Sequence, residues 1–315
     1  MNKNTKTQDR KVYAKIAKAA FDTTRPLLAQ IVITKRCNLS CSYCFEFDKV
    51  SKPVPIAILK SRMDELKRLR TVFVTLNGGE PLLHPQITEL VQYISTLGMI
   101  PMINSNGWLL TPQLIHNLNE AGLYGMQISC DSMRDNSNTR KSMKRLLPKL
   151  LLLKEQANFK VRINGVLGST PASEVIAVAK TVMALDFDFQ CSIVRDESGS
   201  AIPIDQEMQE AYMTIRSMRG RLPAILHDRF QLPLIQGKEV KWKCRSGARY
   251  FHIDTEGIVH LCQPRTGTPG KRLVDYTIED IKHNFNQVKS CTKRCPHAYA
   301  HIGSRLDSFR SQKGA

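Results

Sequence analysis

The stretch AQIVITKRCNLSCSYCFEFD, residues 29–48, runs a β-branched apolar segment straight into three cysteines, Cys37, Cys41 and Cys44. Such a segment reads as a buried strand, because β-branched side chains pack well on a pleated surface. The cysteines then occupy the loop that leaves the strand. Five comparable runs follow: TVFVTLN (71–77), MIPMIN (99–104), YGMQIS (124–129), KVRINGVL (160–167) and FDFQCSIV (187–194). Between them lie segments of helical period. One is PIAILKSRMDELKRLR, with Ile56, Leu59, Met63, Leu66 and Leu69 on a single stripe; another is ITELVQYISTLG, which Gly98 stops. Strands alternating with helices imply parallel pairing, in an open doubly wound sheet or a full or partial barrel. In either, functional side chains gather beyond the carboxyl ends of the strands.

After residue 200 the pattern changes. PIDQEMQEAYMTIRSMRG reads as a helix, and RYFHIDTEGIVHLC as a hairpin turning on DTEG. The expected divisions are a basic helical extension under the barrel (1–27), the barrel (28–200), a helical connector (201–237), a small α+β module (238–300) and a frayed basic tail (301–315).

Lys plus Arg outnumber Asp plus Glu by 46 to 28, a net charge of +18. An excess of that size fits an anionic partner, and it fits equally a solvated basic surface without one. The first residues lack the apolar core of a secretory signal, and no run reaches the roughly 18 apolar residues of a membrane span. A soluble cytoplasmic protein is expected, with no membrane partner. In a reducing compartment nine cysteines in tight clusters favour metal ligation over disulfides.

Thiolates are soft ligands that select zinc or iron–sulfur centres, and a cubane cluster takes four. Three leave one iron with an open position. A zinc site completed by a distant histidine, or a set of unligated buried thiols, is the alternative that the spacing also allows. Cys-x3-Cys-x-aromatic-Cys directly after a first strand, with Tyr43 as the aromatic, resembles the signature of the radical S-adenosylmethionine (SAM) superfamily. That resemblance implies that Cys37, Cys41 and Cys44 hold a [4Fe–4S] cluster whose fourth iron is chelated by SAM, that Tyr43 contacts adenine, and that reduction releases a 5′-deoxyadenosyl radical. It also implies an electron donor such as flavodoxin or ferredoxin. A second motif agrees. NGGEP follows the second strand, where paired glycines let a ligand approach the backbone. The resemblance assigns Gly78, Gly79 and Glu80 to the methionine end of SAM. It assigns Asn104 and Ser129, at the ends of strands three and four, to further SAM contacts.

Cys244, Cys262, Cys291 and Cys295 form a separate set of four. Four thiolates close a site, which would staple a module too small for a core of its own. His260, His297 and His301 are alternative ligands in principle, although isolated histidines are commonly surface or hydrogen-bonded residues. Cys244-x12-Gly257-x4-Cys262 followed by Cys291 resembles the auxiliary-cluster extension of radical SAM enzymes, in its short twitch form. The fold class implied is α/β, a partial parallel (β/α)6 TIM-like barrel with a small α+β twitch domain carrying one auxiliary [4Fe–4S] cluster.

An oxidation needs a base as well as an electron acceptor. Asp131 and Asp196 are the rim carboxylates, and Arg195 is a clamp for a phosphate or carboxylate rather than a base. Cys130 and Cys191 read as small buried apolar residues, and the basic start of NTRKSMKRLLPKLLLLKEQ as a solvated helix end. The function expected is an oxidoreductase-type radical SAM enzyme acting on a polar, anionic small molecule. A peptide maturase is the alternative, weakened because the first 28 residues hold no leader-binding winged helix. A zinc-stapled basic nucleic-acid-binding module would explain the charge and cysteines, but it leaves NGGEP unexplained, and nucleic acid is not the expected partner.

Overall fold

The β-branched runs form six strands: β1 (Leu28–Thr34), β2 (Phe73–Gly78), β3 (Ile100–Ser105), β4 (Gly125–Ser129), β5 (Lys160–Leu167) and β6 (Asp188–Ile193). Each pairs in parallel with the next. The computed structural model describes residues 3–44, 47–196, 198–219 and 221–310. Helices α2 (Ile56–Arg68), α3 (Ile87–Thr96), α4 (Pro112–Glu120), α5 (Met143–Gln156) and α6 (Ala172–Ala184) return the chain between strands.

Successive side chains of a strand point to opposite faces, and the sequence uses this to make two different surfaces. Ile31, Ile33, Val74, Leu76, Ile103, Met126, Ile128 and Ile163 face the helices and are buried. Leu59, Met63 and Leu66 of α2 meet them, as do Leu90, Val91 and Ile94 of α3. Burial of each such side chain contributes about 1.5–3 kcal/mol. The alternate positions, Gln30, Asn77, Asn104, Gln127, Arg162, Gln190 and Ser192, line a cavity of about 550 Å³ on the other face. A closed eight-stranded barrel fills that space with branched apolar side chains. Here the concave face carries amide and guanidinium side chains among apolar ones and is open.

The sheet does not stop at the barrel. β7 (Tyr250–Ile253) pairs in parallel with β1, and β8 (Ile258–His260) and β9 (Pro269–Arg272) follow antiparallel, giving the order β6-β5-β4-β3-β2-β1-β7-β8-β9. The hairpin turns where expected, with Gly257 at φ +84°. The strand PGKR was not anticipated, since its composition carries no alternation. α7 (Gln206–Met218) and α8 (Arg221–Ile235) precede this region, and α9 (Ile278–Asn286) lies within it. No described helix is long and apolar enough to cross a membrane.

Both chain ends pack where the strands begin. α1 (Lys3–Phe21) sets Val12 and Ala19 against Leu27, Val72 and Ile100. The segment from 301 on, expected as a frayed tail, is ordered as far as Arg310. α10 (Ala298–Arg305) buries Ala300 and Ser304, and Asp307 is fully buried against an equally buried Arg249. Arg249 donates to both Asp307 oxygens, at 2.7 and 2.8 Å, and to the carbonyls of Ala19, Asp22 and Arg25 at 2.8–2.9 Å. One guanidinium thus joins α1, the approach to β7 and the C-terminal segment. A polar, Ser-rich composition concealed this, because the partner lies 58 residues away. Residues 311–315 of the expected tail lie outside the described residues.

Removing one partner of a buried ion pair strands the other charge, which costs about 3–5 kcal/mol. Asp307→Ala is therefore expected to lose that much in urea unfolding; a loss within the range of an exposed pair, below about 1 kcal/mol, would contradict this role.

Candidate active site: a three-cysteine loop at the mouth of the barrel

The loop bearing Cys37, Cys41 and Cys44 leaves β1 at the carboxyl rim and is held first by the turn after β2. Gly79 N–H donates to Thr34 O and Glu80 N–H to Arg36 O, each at 2.9 Å. A Cβ on Gly78 would stand 2.3 Å from Thr34 O, and one on Gly79 2.4 Å from Lys35 O. The glycine pair is thus required by the chain's own loop, where the sequence pointed to the approach of a ligand. Both glycines still border a cavity of about 140 Å³, together with the three cysteines, Asn104, Ser129 and Lys141.

Glu80 behaves differently from the expectation. Its carboxylate is buried and accepts from Leu82 N–H (3.0 Å), Ser105 Oγ (2.7 Å) and Asn106 N–H (2.7 Å). Burial holds its carboxyl above the usual glutamate range. It borders neither cavity, so its observed work is to fasten the turn after β2 to the end of β3. Asn106 continues the link by donating to Asn38 Oδ1 at 2.7 Å, inside the cysteine loop.

Tyr43 borders the larger cavity beside Cys44, while its hydroxyl donates to Asp131. Asp131, expected as a rim base, is fully buried and borders neither cavity; burial raises its carboxyl. It has no access to a substrate there. Asp196, the other carboxylate, is exposed and caps a turn through Ser198 Oγ (2.6 Å) and Ser200 N–H (2.9 Å). Lys141, read from sequence as part of a solvated helix end, turns inward instead. Its ammonium donates to Tyr43 Oη at 3.2 Å; burial lowers its pKa, but Tyr43 and Asp131, and after them Cys41 and Cys44, hold it above the ordinary lysine value. No sequence signal marked it, since it sits among five other basic residues of the same segment.

Arg195 and Arg162 border the larger cavity. Among the described residues neither has a carboxylate partner, and Arg162 makes one long hydrogen bond, 3.4 Å, to Gln190 Oε1. The carboxylate that borders this cavity among the described residues is Asp188, at the amino end of β6. Asn104 borders both cavities and accepts from Tyr299 Oη at 3.1 Å.

The four C-terminal cysteines converge from Cys244 before β7, Cys262 after β8, and Cys291 and Cys295 after α9. Burial raises the thiol of Cys262, and Cys295, Cys244 and Cys291 raise it further. Burial pushes Cys295 up to about 12, with Cys244 and Cys291 adding to it. Cys244 and Cys262 are buried and Cys291 and Cys295 half-buried; thiols that raise one another in this way repel once ionised, and a bound cation relieves that repulsion. The three histidines are otherwise engaged: His260 with Asp254 Oδ2 (2.7 Å), His297 with Tyr250 Oη (2.9 Å), and His301 with Cys295 O (2.8 Å), its ring stacked between Phe230 and Trp242. Cys130 and Cys191 are buried, as expected of small apolar residues. Among the described residues no three His, Cys, Asp or Glu side chains are gathered around a single ion.

Residues 31–177 match the family model of the radical SAM superfamily. The PqqA peptide cyclase of Bradyrhizobium diazoefficiens is 23% identical over 305 residues, covering 92% of this chain and 76% of that protein. The GTP 3′,8-cyclase of Microcystis aeruginosa is 36% identical over 113 residues, covering 33% of this chain and 34% of that protein. Other curated relatives, such as the AdoMet-dependent heme synthase of Methanosarcina barkeri, are likewise spanned over only about a third of their length. Among solved structures, Streptococcus suis SuiB bound to precursor peptide SuiA aligns with a TM-score of 0.60 at 16% identity, covering 97% of this chain and 72% of SuiB, a likeness of fold alone. The strand, the three-cysteine loop and the Gly-Gly-Glu-Pro turn locked against it fall inside the matched segment, and with that match this chain carries, over residues 31–177, the domain of the radical SAM superfamily.

Proposed function

We propose that Cys37, Cys41 and Cys44 hold the [4Fe–4S] cluster with one iron open to SAM, and that the enzyme takes hydrogen from a polar, anion-bearing substrate in the 550 Å³ cavity. When bound, cluster and SAM supply a 5′-deoxyadenosyl radical. The observation that carries the reading is the cavity itself, bordered at the rim by Tyr43 and Cys44 and, within, by amide side chains and two arginines without carboxylate partners among the described residues. Arg195 and Arg162 bind and orient the anionic group, since a guanidinium pairs with carboxylate or phosphate in a fixed fork. Gln30, Gln127 and Gln190 fix polar groups around it. Asn104 and Ser129 hold the polar parts of SAM, and the Gly78–Gly79 backbone borders its methionine end.

Cys244, Cys262, Cys291 and Cys295 hold a second [4Fe–4S] cluster that accepts the surplus electron of a net oxidation. With Asp131 sealed and Asp196 in a turn, the accompanying proton passes to Asp188, the carboxylate that borders the cavity among the described residues. An electron donor of the flavodoxin or ferredoxin kind reduces the first cluster. A second reading has a specific ground: the relative spanning 92% of this chain is named for a peptide cyclase, and SuiB was solved with a precursor peptide. The anionic group would then be a peptide side chain reaching into the same cavity.

Anaerobically reconstituted protein is expected to carry about eight irons, four for each [4Fe–4S] cluster, with Cys41→Ala/Cys44→Ala keeping about half and losing SAM cleavage. Iron and acid-labile sulfide analysis decides this; zinc in place of iron would end the proposal. With SAM, reductant and deuterated metabolite pools, anionic small molecules are expected to deliver deuterium to 5′-deoxyadenosine. Arg195→Gln should raise the KM for that transfer about tenfold or more, the worth of one charge-assisted hydrogen bond. Deuterium arriving only from a short Cys- or Gly-rich peptide encoded beside this protein would select the second reading.

A further inference from the structure

The cysteine loop has no helix or strand of its own in its described residues, so its position depends on what grips it. Much of that grip comes from the loop between β4 and α5. Ser42 N–H donates to Asn138 O at 3.0 Å, and Cys41 Sγ lies 3.6 Å from Thr139 Oγ1. The Tyr43 hydroxyl reaches Asp131, whose Oδ2 also accepts from Thr139 Oγ1 at 3.1 Å. Lys141 Nζ donates to the same hydroxyl at 3.2 Å and sits 5.2 Å from the centre of the Tyr43 ring. Asp131 is itself fixed by its N–H to Lys141 O at 2.8 Å and by Thr170 Oγ1 to its carbonyl at 2.9 Å.

We infer that Asp131, Tyr43 and Lys141 form a clasp that seats the three-cysteine loop and sets the charge beside its cluster, making Asp131 and Lys141 positioning residues. The phenol is the joint: it gives its one proton to the carboxylate and accepts from the ammonium. A positive group and a negative group are thereby held at fixed places near Cys41 and Cys44, in surroundings that screen them poorly. Reduction adds a negative charge to the cluster, and the net charge nearby is one of the factors that set its potential. Lys141 favours the reduced form and Asp131 opposes it. Tyr43 changes neither charge.

The three residues therefore give separable signatures in the full-length protein reconstituted anaerobically. The readout is the potential of the cluster whose electron paramagnetic resonance signal changes on adding SAM. Lys141→Met should lower that potential, Lys141→Arg should restore it, and Asp131→Asn should raise it. Tyr43→Phe should leave it in place, yet speed amide hydrogen exchange across residues 37–44 by about tenfold or more, as expected for loss of a hydrogen bond to a charged group. Loosening of the loop alone would move the lysine and aspartate variants in one direction. Shifts of the same sign, or no shift, would overturn the charge role; unchanged exchange in Tyr43→Phe would overturn the clasp. The inference rests on the cluster assignment above, and a wild-type protein without a SAM-sensitive signal would overturn that assignment, whereas the exchange measurement needs no cluster.

Discussion

The close approach of two backbones at Gly78 and Gly79 is the constraint from which the site follows. The turn after β2 lies so tightly on the loop after β1 that any side chain at either position would collide with a carbonyl. Two hydrogen bonds of 2.9 Å close the contact, and the buried carboxylate of Glu80 carries it on to β3 through Ser105 and Asn106. Because the β1 loop bears the cysteines, a sheet built by apolar burial delivers three sulfurs to its rim. Packing supplies the stability, while backbone contact supplies the placement.

The second consequence of the parallel sheet is its unequal faces. Helices cover one face and bury its branched side chains, which frees the other from providing a core. With only six strands in the barrel arc, that concave face need not be packed, and amides and arginines occupy it at little cost in stability because the space is open. The C-terminal segment then partly covers it: Pro296, His297 and Tyr299 border the same cavity as Gln30 and Asn104. The buried pair Arg249–Asp307 lies behind this segment and binds it to the start of the chain. A cavity bordered by both early and late segments of the sequence results.

The barrel was legible because its signals are local. Strand runs, helical stripes and the cysteine spacing each fit within a short window, and all six strands form where the β-branched runs lie. What escaped depends on distant partners. Glu80 sits within a recognisable motif, yet its three donors, two of them on the far side of α3, keep it out of the cavity. Asp131 is a rim residue by position and a sealed one by packing. Lys141 belongs to a basic run whose members are indistinguishable by composition, and the thiols it faces are about a hundred residues earlier. The ordered tail was missed for the same reason, since nothing near Asp307 announces Arg249.

One cavity is bordered by Cys44 of the first cysteine set and by Gln263 and Pro296, the sequence neighbours of Cys262 and Cys295 of the second, and that arrangement bears on the chemistry more directly than either set alone. Tyr43 and Cys44 border the cavity from the three-cysteine side, while Pro296 and His297, adjoining Cys295, border it from the other. Hydrogen bonds continue inward, from His297 to Tyr250, from Tyr250 to Gln30 at 2.6 Å, and from Tyr299 to Asn104. On the proposed assignment of the two cysteine sets, a molecule in the cavity would lie between the cluster that begins a radical reaction and the one that receives its surplus electron. For a substrate oxidised in place, that ordering removes any need for the radical to leave the cavity before it is quenched. The demand holds equally for a free metabolite and for the side chain of a peptide, because both must present the reacting carbon in the same gap.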